Sequence, residues 1–322
     1  MPFTLRPTTP DDYPRILEII NSQVREPATL DDLLREDQDR DPADPFFRLG
    51  AVDAEDRLIG YTLAEGGAGH RPGEFWCRLR VHNAHQRQGV GSALFDRLIA
   101  YARSQGATRL ETAVLEDAPE ALAWAQRRGF VKEHDLFEST LDLSVWDPAP
   151  FQEVVRKAEA NGFRWTDLAA EMEGGDSEEL FRRYHRFSSD LGRDVPGNSD
   201  RPDYPYNLWR KSVERDPKWR PELVLLAARG DRWAALCHLI PANSGGLYNG
   251  FTAVHPEFRG NGLALALKVR ALQLGKEMGA PYIRTNNHSV NQPMLAVNRK
   301  LGYKPLPGVY LIAAKLTPME DA

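Results

Sequence analysis

Phe251-Thr252-Ala253-Val254-His255-Pro256-Glu257-Phe258-Arg259-Gly260-Asn261-Gly262-Leu263-Ala264 runs from apolar, strand-prone residues through two glycines into a long helical pattern. The same kind of passage occurs 173 residues earlier, where Val81-His82 leads to Gly89 and Gly91. Pairing residues 81–130 with 254–303 gives 12 identities in 50 without a gap, among them Val81/Val254, His82/His255, Gly89/Gly262, Thr112/Thr285 and Gly129/Gly302. Composition alone would give about three or four. A duplicated unit therefore fixes the organisation of the chain more firmly than composition does.

Outward from the turns, each copy reads alike. In the first, a strand at 3–6 and a helix opened by Thr9-Pro10-Asp11-Asp12 precede strands at 46–53, 57–65 and 74–82. A helix at 89–105, a strand at 108–114, a helix at 118–128 and two closing strands at 130–136 and 138–144 complete it. The second copy starts with a strand at 163–168 and helices at 177–190 and 207–215. Strands at 222–229, 232–240 and 246–254 follow, then a helix at 262–278, a strand at 281–286, a helix at 290–301 and two last strands. The prolines of Trp146-Asp147-Pro148-Ala149-Pro150 suit an extended linker. The expected division is a first domain over 1–145, a linker over 146–150 and a second domain over 151–322.

The 322 residues suit two domains of ordinary size, and 42% hydrophobic with 27% charged residues is the balance of a globular protein. No run approaches the roughly 20 apolar residues of a membrane span, and the first residues lack the apolar stretch of a secretory signal, so a cytoplasmic location without membrane contact is expected. Cys77 and Cys237 are too few for a disulfide framework and lack the spacing of a zinc site, so no metal is expected. With 41 basic and 46 acidic residues the net charge is −5, and no basic stripe marks a nucleic-acid partner. Eleven acids between Glu26 and Asp56 face only Arg35, Arg40 and Arg48; such a run is ordinarily a solvated face, and its functional alternative is a rim that attracts cations.

A helix start has unsatisfied N–H groups, and glycines ahead of it let several of them point at one anion, with phosphate the natural guest. Arg259 stands ready to add a charge-assisted contact. A dinucleotide fingerprint would need Gly-x-Gly-x-x-Gly, yet the first copy reads Gly89-Val90-Gly91-Ser92-Ala93-Leu94, and no Walker lysine follows either turn.

Gln86-Arg87-Gln88-Gly89-Val90-Gly91 and Arg259-Gly260-Asn261-Gly262-Leu263-Ala264 both resemble the phosphate-binding signature of the GNAT superfamily of acyl-CoA-dependent N-acetyltransferases: Gln or Arg, two residues, Gly, one residue, then Gly or Ala. The second copy also resembles a tandem-domain subgroup, the mycothiol synthase-like proteins, through Thr285-Asn286-Asn287, Asn291 to Met294 and Asn298 to Tyr303. The resemblance implies a mixed α/β fold, a mostly antiparallel sheet flanked by helices, present twice in tandem. It implies acetyl-CoA as co-substrate, with the pyrophosphate on the amides of Arg87, Gln88, Gly89, Val90, Gly91 and Ser92 and of Gly260, Asn261, Gly262, Leu263, Ala264 and Leu265, and with Arg259 beside it. The backbone N–H near Val254, and its counterpart near Val81, would hold the thioester carbonyl and stabilise the oxyanion. Asn291 and Asn298 would hydrogen-bond the pantetheine amides.

The sequence also departs from that pattern. Where many members carry a tyrosine as proton donor to the departing thiolate, this chain has Ala125 and Asn298. Asn298 can donate a hydrogen bond to sulfur but no proton; a thiol of pKa about 8.5 is nonetheless a fair leaving group. Where a glutamate base often stands there are Phe75 and Tyr248, with Glu74 one residue off; Glu74 serves only if a bulge turns its side chain back. His82 and His255 fit turn caps, and Asn291 fits a helix cap. The reading is direct acetyl transfer, in a ternary complex, to a primary amine of a small molecule or peptide. The second copy is the expected active one because it has Arg259 and the asparagines, and fusion of two copies in one chain is compatible with a monomer. The alternatives are a non-catalytic acyl-CoA binding or sensing protein and a mycothiol synthase-like enzyme acting on a thiol metabolite.

Overall fold

The computed structural model describes residues 2–173 and 175–317. The chain forms two units: Met1–His134, Pro202–Leu208 and Val309–Ala322 make unit 1, and Asp135–Arg201 with Trp209–Gly308 make unit 2.

Unit 1 contains β1 (Thr4–Pro7), α1 (Tyr13–Asn21), α2 (Leu30–Asp39), β2 (Phe46–Val52), β3 (Leu58–Glu65), β4 (Glu74–Val81), α3 (Val90–Ser104), β5 (Arg109–Leu115) and α4 (Pro119–Gln126). Next comes β6 (Val131–Asp142), one strand where the sequence suggested two, with its residues from Asp135 onward in unit 2. Unit 2 continues through α5 (Gln152–Ala160), β7 (Arg164–Asp167), α6 (Leu168–Met172), α7 (Ser177–Gly192) and α8 (Tyr206–Arg215), which begins among the unit 1 residues. Then follow β8 (Val224–Arg229), β9 (Arg232–Pro241), β10 (Leu247–Val254), α9 (Leu263–Glu277), β11 (Tyr282–His288), α10 (Gln292–Leu301) and β12 (Lys304–Pro305). The last strand, β13 (Val309–Lys315), belongs to unit 1.

Each sheet is antiparallel except at one place. Unit 1 has the order β1-β2-β3-β4-β5-β13, and unit 2 the order β6-β11-β10-β9-β8-β7, with β12 also on β6. The parallel contacts are short. β4 meets β5 only over Glu74–Trp76 against Arg109–Glu111, and β10 meets β11 only at Leu247 and Tyr248 against Ile283 and Arg284. Beyond those residues the two strands of each pair separate and leave a wedge.

The helix after each wedge is fixed by its apolar face. α3 buries Val90, Leu94, Phe95, Leu98 and Ala102, and α9 buries Leu263, Ala266, Leu267, Val269, Ala271 and Leu272. At about 25 cal/mol per Å2 of apolar surface removed from water, such faces dominate the docking of helix on sheet.

Each repeat ends in a strand that completes the sheet of the other unit. β13 pairs with β5 along Val309–Lys315, placing Ile312 and Ala314 in a core cluster with Phe75, Leu98 and Leu110. β6 pairs with β11 from Leu136 to Asp142 and adds Leu141 to the unit 2 core. Residues 135–145, assigned above to the first domain, thus lie in unit 2, and residues 309–317, assigned to the second, lie in unit 1. Nor is 146–150 a free linker. Trp146 is only 6% exposed in the unit 2 core, stacks on Phe151, and its carbonyl accepts a hydrogen bond from Lys276 Nζ at 2.9 Å. The prolines here open a 3-10 turn into α5, a position where a missing N–H costs nothing.

Candidate active site

Each wedge is a cleft, of about 500 Å3 in unit 1 and about 490 Å3 in unit 2. Both reach the glycine turn, the unit 1 cleft from between β4 and β5 and the unit 2 cleft from the end of β10 with α10 on its far side. Gly89 and Gly262 are the N-caps of α3 and α9, with φ of 87° and 74°, conformations that a Cβ disfavours. The second position of each turn is also left-handed: Gly260 has φ 80°, and Arg87 holds φ 60° without a glycine's freedom.

The first intrahelical bonds at these helix starts run from Ala93 N–H to Gly89 and from Ala266 N–H to Gly262. The amides of Val90, Gly91 and Ser92, and of Leu263, Ala264 and Leu265, therefore precede the helical ladder and are not used by it. Gly89, Gly91 and Ser92 line one cleft; Gly260, Gly262, Leu263, Ala264 and Leu265 line the other. Three convergent donors at the positive end of a 15-residue helix suit a diphosphate in each unit.

The strand end supplies a different donor. In an antiparallel ladder, successive residues point their N–H and C=O alternately toward and away from the neighbouring strand. His255 N–H bonds Ala234 O at 2.8 Å and His82 N–H bonds Ile59 O at 2.9 Å, so the N–H groups of Val254 and Val81 face away from that neighbour, on the side of the wedge. Their carbonyls are held by the first residue of each turn motif: Gln86 Nε2 donates to Val81 O at 3.1 Å and Arg259 Nε to Val254 O at 3.3 Å. Arg259 thus braces the strand end, and its guanidinium also pairs with Asp194. Arg259 also lines the unit 2 cleft, as does Asp194.

The other expected site residues divide. Asn291 lines the unit 2 cleft and accepts a hydrogen bond from Met294 N–H as the N-cap of α10, whereas Asn298 is 3% exposed, is not among the cleft-lining residues, and donates to Asn287 Oδ1. Glu74 is 2% exposed and held by Arg71 at 3.2 Å and Arg109 at 3.3 Å. The bulge that Glu74 required is missing, because β4 pairs with β3 without a register shift from Trp76 to Val81. Its surroundings are those of a buried ion pair. His82 caps its turn through Nδ1, which accepts from Ala84 N–H.

Two features could not be anticipated from the motifs. His238, the cross-strand partner of the cleft residue Phe251, has a buried Nε2 without a hydrogen-bond partner. Burial pushes its imidazole down to about 4; it is neutral at pH 7 but too weakly basic to take the proton of an ammonium efficiently. The second is a break in β10: between Asn249 and Phe251 the register against β9 shifts by one residue. Gly250 inside the strand expected at 246–254 is the signal that could have found it, and the pairing partner fixes its place.

Among the described residues no group of three or more His, Cys, Asp or Glu side chains is arranged to hold a metal ion, and no helix is long and apolar enough to cross a membrane.

Paired parallel strands that separate, with an amide-rich turn after the first, define an acyl-CoA-type transferase site. The GNAT acetyltransferase family model matches residues 13–130 and 184–303, most of the chain, and the protein belongs to that family and is an acetyltransferase. Members of the family use acetyl-CoA. Over 279 residues the chain is 26% identical to the mycothiol acetyltransferase of Thermobifida fusca (strain YX), covering 80% of each sequence. Among solved structures, it resembles a tandem GNAT protein from the clavulanic acid biosynthesis pathway (TM-score 0.73, 19% identity, 99% of this chain and 100% of that one). It likewise resembles a GCN5-related N-acetyltransferase from Sphaerobacter thermophilus (TM-score 0.72, 18% identity, 99% and 98%). These two likenesses confirm a tandem mixed α/β GNAT fold.

Proposed function

We propose that unit 2 transfers the acetyl group of acetyl-CoA directly to a primary amine of a small molecule or peptide, and that unit 1 binds the same nucleotide in a supporting role. In this reading the diphosphate rests on the amides of Leu263, Ala264 and Leu265. Pantetheine lies along β10 in the wedge, and the N–H of Val254 donates to the thioester carbonyl. The amine nitrogen attacks the carbonyl carbon, the tetrahedral oxyanion collects charge beside that N–H, and the C–S bond breaks to release CoA thiolate. No side chain described above has the basicity to remove an ammonium proton, so that proton leaves to water and the amine's own neutral fraction reacts; the proton that nitrogen sheds after attack goes to the departing thiolate or to water. The log of kcat/KM then rises with pH up to the amine's pKa. Orientation in one cleft supplies much of the acceleration.

The observation that carries this reading is the Val254 N–H turned away from β9 beside unspent helix-start amides, on the strand with the bulge. Ala264→Glu tests it. Ala264 is the second residue of α9, where a glutamate suits the helix dipole but competes with the diphosphate for the same amides. Calorimetric titration with CoA should fall from two equivalents to one, and transfer to an amine panel should drop at least about a thousandfold, the scale of losing most transition-state contacts. Undiminished transfer would place the reaction in unit 1.

The mycothiol acetyltransferase relative favours a second reading of the acceptor, the amine of a cysteinyl sugar. The cysteinyl-glucosaminyl-inositol precursor should then be acetylated with a kcat/KM well above that of simple amines. Parity with simple amines would remove this reading.

A further inference from the structure

The two copies are in register at a spacing of 173 residues from Val81/Val254 onward, but not before. Phe75 pairs with Leu110, and Leu247 pairs with Ile283. Leu110 and Ile283 are 173 apart, while Phe75 and Leu247 are 172 apart. One residue has been added to β10, and the register shift between Asn249 and Phe251 identifies it as Gly250. An added residue reverses the facing of everything downstream in a strand. With Leu247 fixed in the core, an unbulged β10 would turn the N–H of Ala253, and not that of Val254, into the wedge.

A bulge disturbs the ladder and must find partners for the polar groups it displaces. Asn249 provides them. Its Nδ2 donates to His238 O and to Phe251 O, each at 3.1 Å, and its Oδ1 accepts from Thr252 Oγ1 at 2.9 Å. The backbone carbonyl of Asn249 accepts from Thr285 Oγ1 at 3.0 Å, just where the parallel pairing of β10 with β11 ends. The carboxamide is 3% exposed, so each of these bonds is made away from competing water. At the 172-residue spacing that holds before the bulge, the first copy has Cys77, which has neither the two donors nor the acceptor for this job.

We propose that Asn249 is a positioning residue for acetyl transfer: by clamping the bulge at Gly250 it aims the Val254 N–H at the thioester carbonyl. It touches no reactant. The inference rests on the assignment of transfer to unit 2.

The test uses the full chain with Asn249→Leu, which keeps the volume and removes every side-chain hydrogen bond, and Asn249→Asp, which keeps the acceptor for Thr252 and removes both donors. Thr252→Val, which frees the carboxamide to rotate while leaving its donors, serves if the first two fail to fold. Turnover should slow by about tenfold to a hundredfold in the Asn249 variants and by about threefold to tenfold in Thr252→Val, scaled to the loss of one oriented oxyanion donor. Kd for CoA should stay within about threefold, because the turn at 259–265 is untouched, and loss of one directed hydrogen bond changes orientation more than affinity. In a Gly91→Glu background, which confines the nucleotide to unit 2, the infrared C=O stretch of bound carbonyl-13C acetyl-CoA should move toward its less polarised frequency. Folded variants with unchanged kcat, or an unmoved carbonyl band, would overturn the role of Asn249, since a merely structural residue alters melting temperature alone. Ala264→Glu separates the two assignments: if it retains transfer, the placement in unit 2 fails; if it abolishes transfer while the Asn249 variants stay fully active, only the clamp fails.

Discussion

In unit 1 the strand leading to the glycine turn pairs with its neighbour without interruption from Trp76 to Val81, whereas in unit 2 the equivalent strand carries one extra residue and a buried asparagine that accommodates it. The clefts themselves are of nearly equal volume, and both turns present three unspent amides. On the proposed reading, nucleotide binding depends on the turn, which both copies keep, and chemistry on the strand, where they differ. The interior differs too, since Lys268 in α9 occupies the repeat position of Phe95; at the surface, Arg87 occupies the position of Gly260.

Removing residues 309–322 attacks the comparison hardest. By linear order this trims the second copy, yet the strand lost is the partner of β5 over Arg109–Leu115, so unit 1 should lose its protected core. Hydrogen exchange of residues 46–115 should rise toward the unfolded rate, while the amides of β8 and β9 stay protected. Protection retained throughout β4 and β5 would show that β13 is dispensable.

Val254→Pro comes next. The N–H it removes is not part of the ladder with β9, so the strand should survive while kcat falls about 10²–10³-fold, the usual cost of one oxyanion donor. A folded variant with normal kcat would eliminate that N–H from the mechanism.

Lys268→Met removes a difference between the two interiors. Lys268 is 2% exposed, its Nζ has no hydrogen-bond partner, and its amine lies over the Tyr303 ring at 5.0 Å. Burial pushes its pKa down to about 8 from the ordinary 10.5. Below pH 8 both folded and unfolded chains carry the charge and the full burial penalty applies; between 8 and 10.5 the unfolded chain binds the extra proton, and the penalty fades as pH rises. Lys268→Met should therefore stabilise the protein by about 1–3 kcal/mol at pH 7, with the gain shrinking toward pH 10 in denaturant titrations. A gain that does not change with pH would mean the amine is not titrating in that environment.

Arg87→Gly gives the smallest effect. Relief of its φ of 60° offsets the added freedom of the unfolded chain, leaving a gain of about 0.5 kcal/mol in unit 1 by the same titration. A loss of stability would show that the arginine side chain contributes more than its backbone costs.

The glycine turns were legible because their signal is local: Gly89 and Gly262 must accept left-handed backbone, and the apolar spacing after them dictates a docked helix. For the same reason most strands and helices of both copies could be read from alternation and periodicity, although α2, α5 and α6 were not expected and β6 is one strand in place of two. The roles of Asn298 and Glu74 could not, because a side chain's direction depends on strand register and on which partner reaches it first.

The sequence by itself determined the duplication, the strands and helices that flank each turn and the two phosphate-type turns, since these follow from residue type and short spacing. Only the tertiary structure decided that the closing strands β6 and β13 are exchanged between units, that Arg259 braces Val254, and that β10 is bulged at Gly250. Each of those depends on which backbone groups pair across long stretches of chain, and a hydrogen bond leaves no mark on the spacing of the residues that make it.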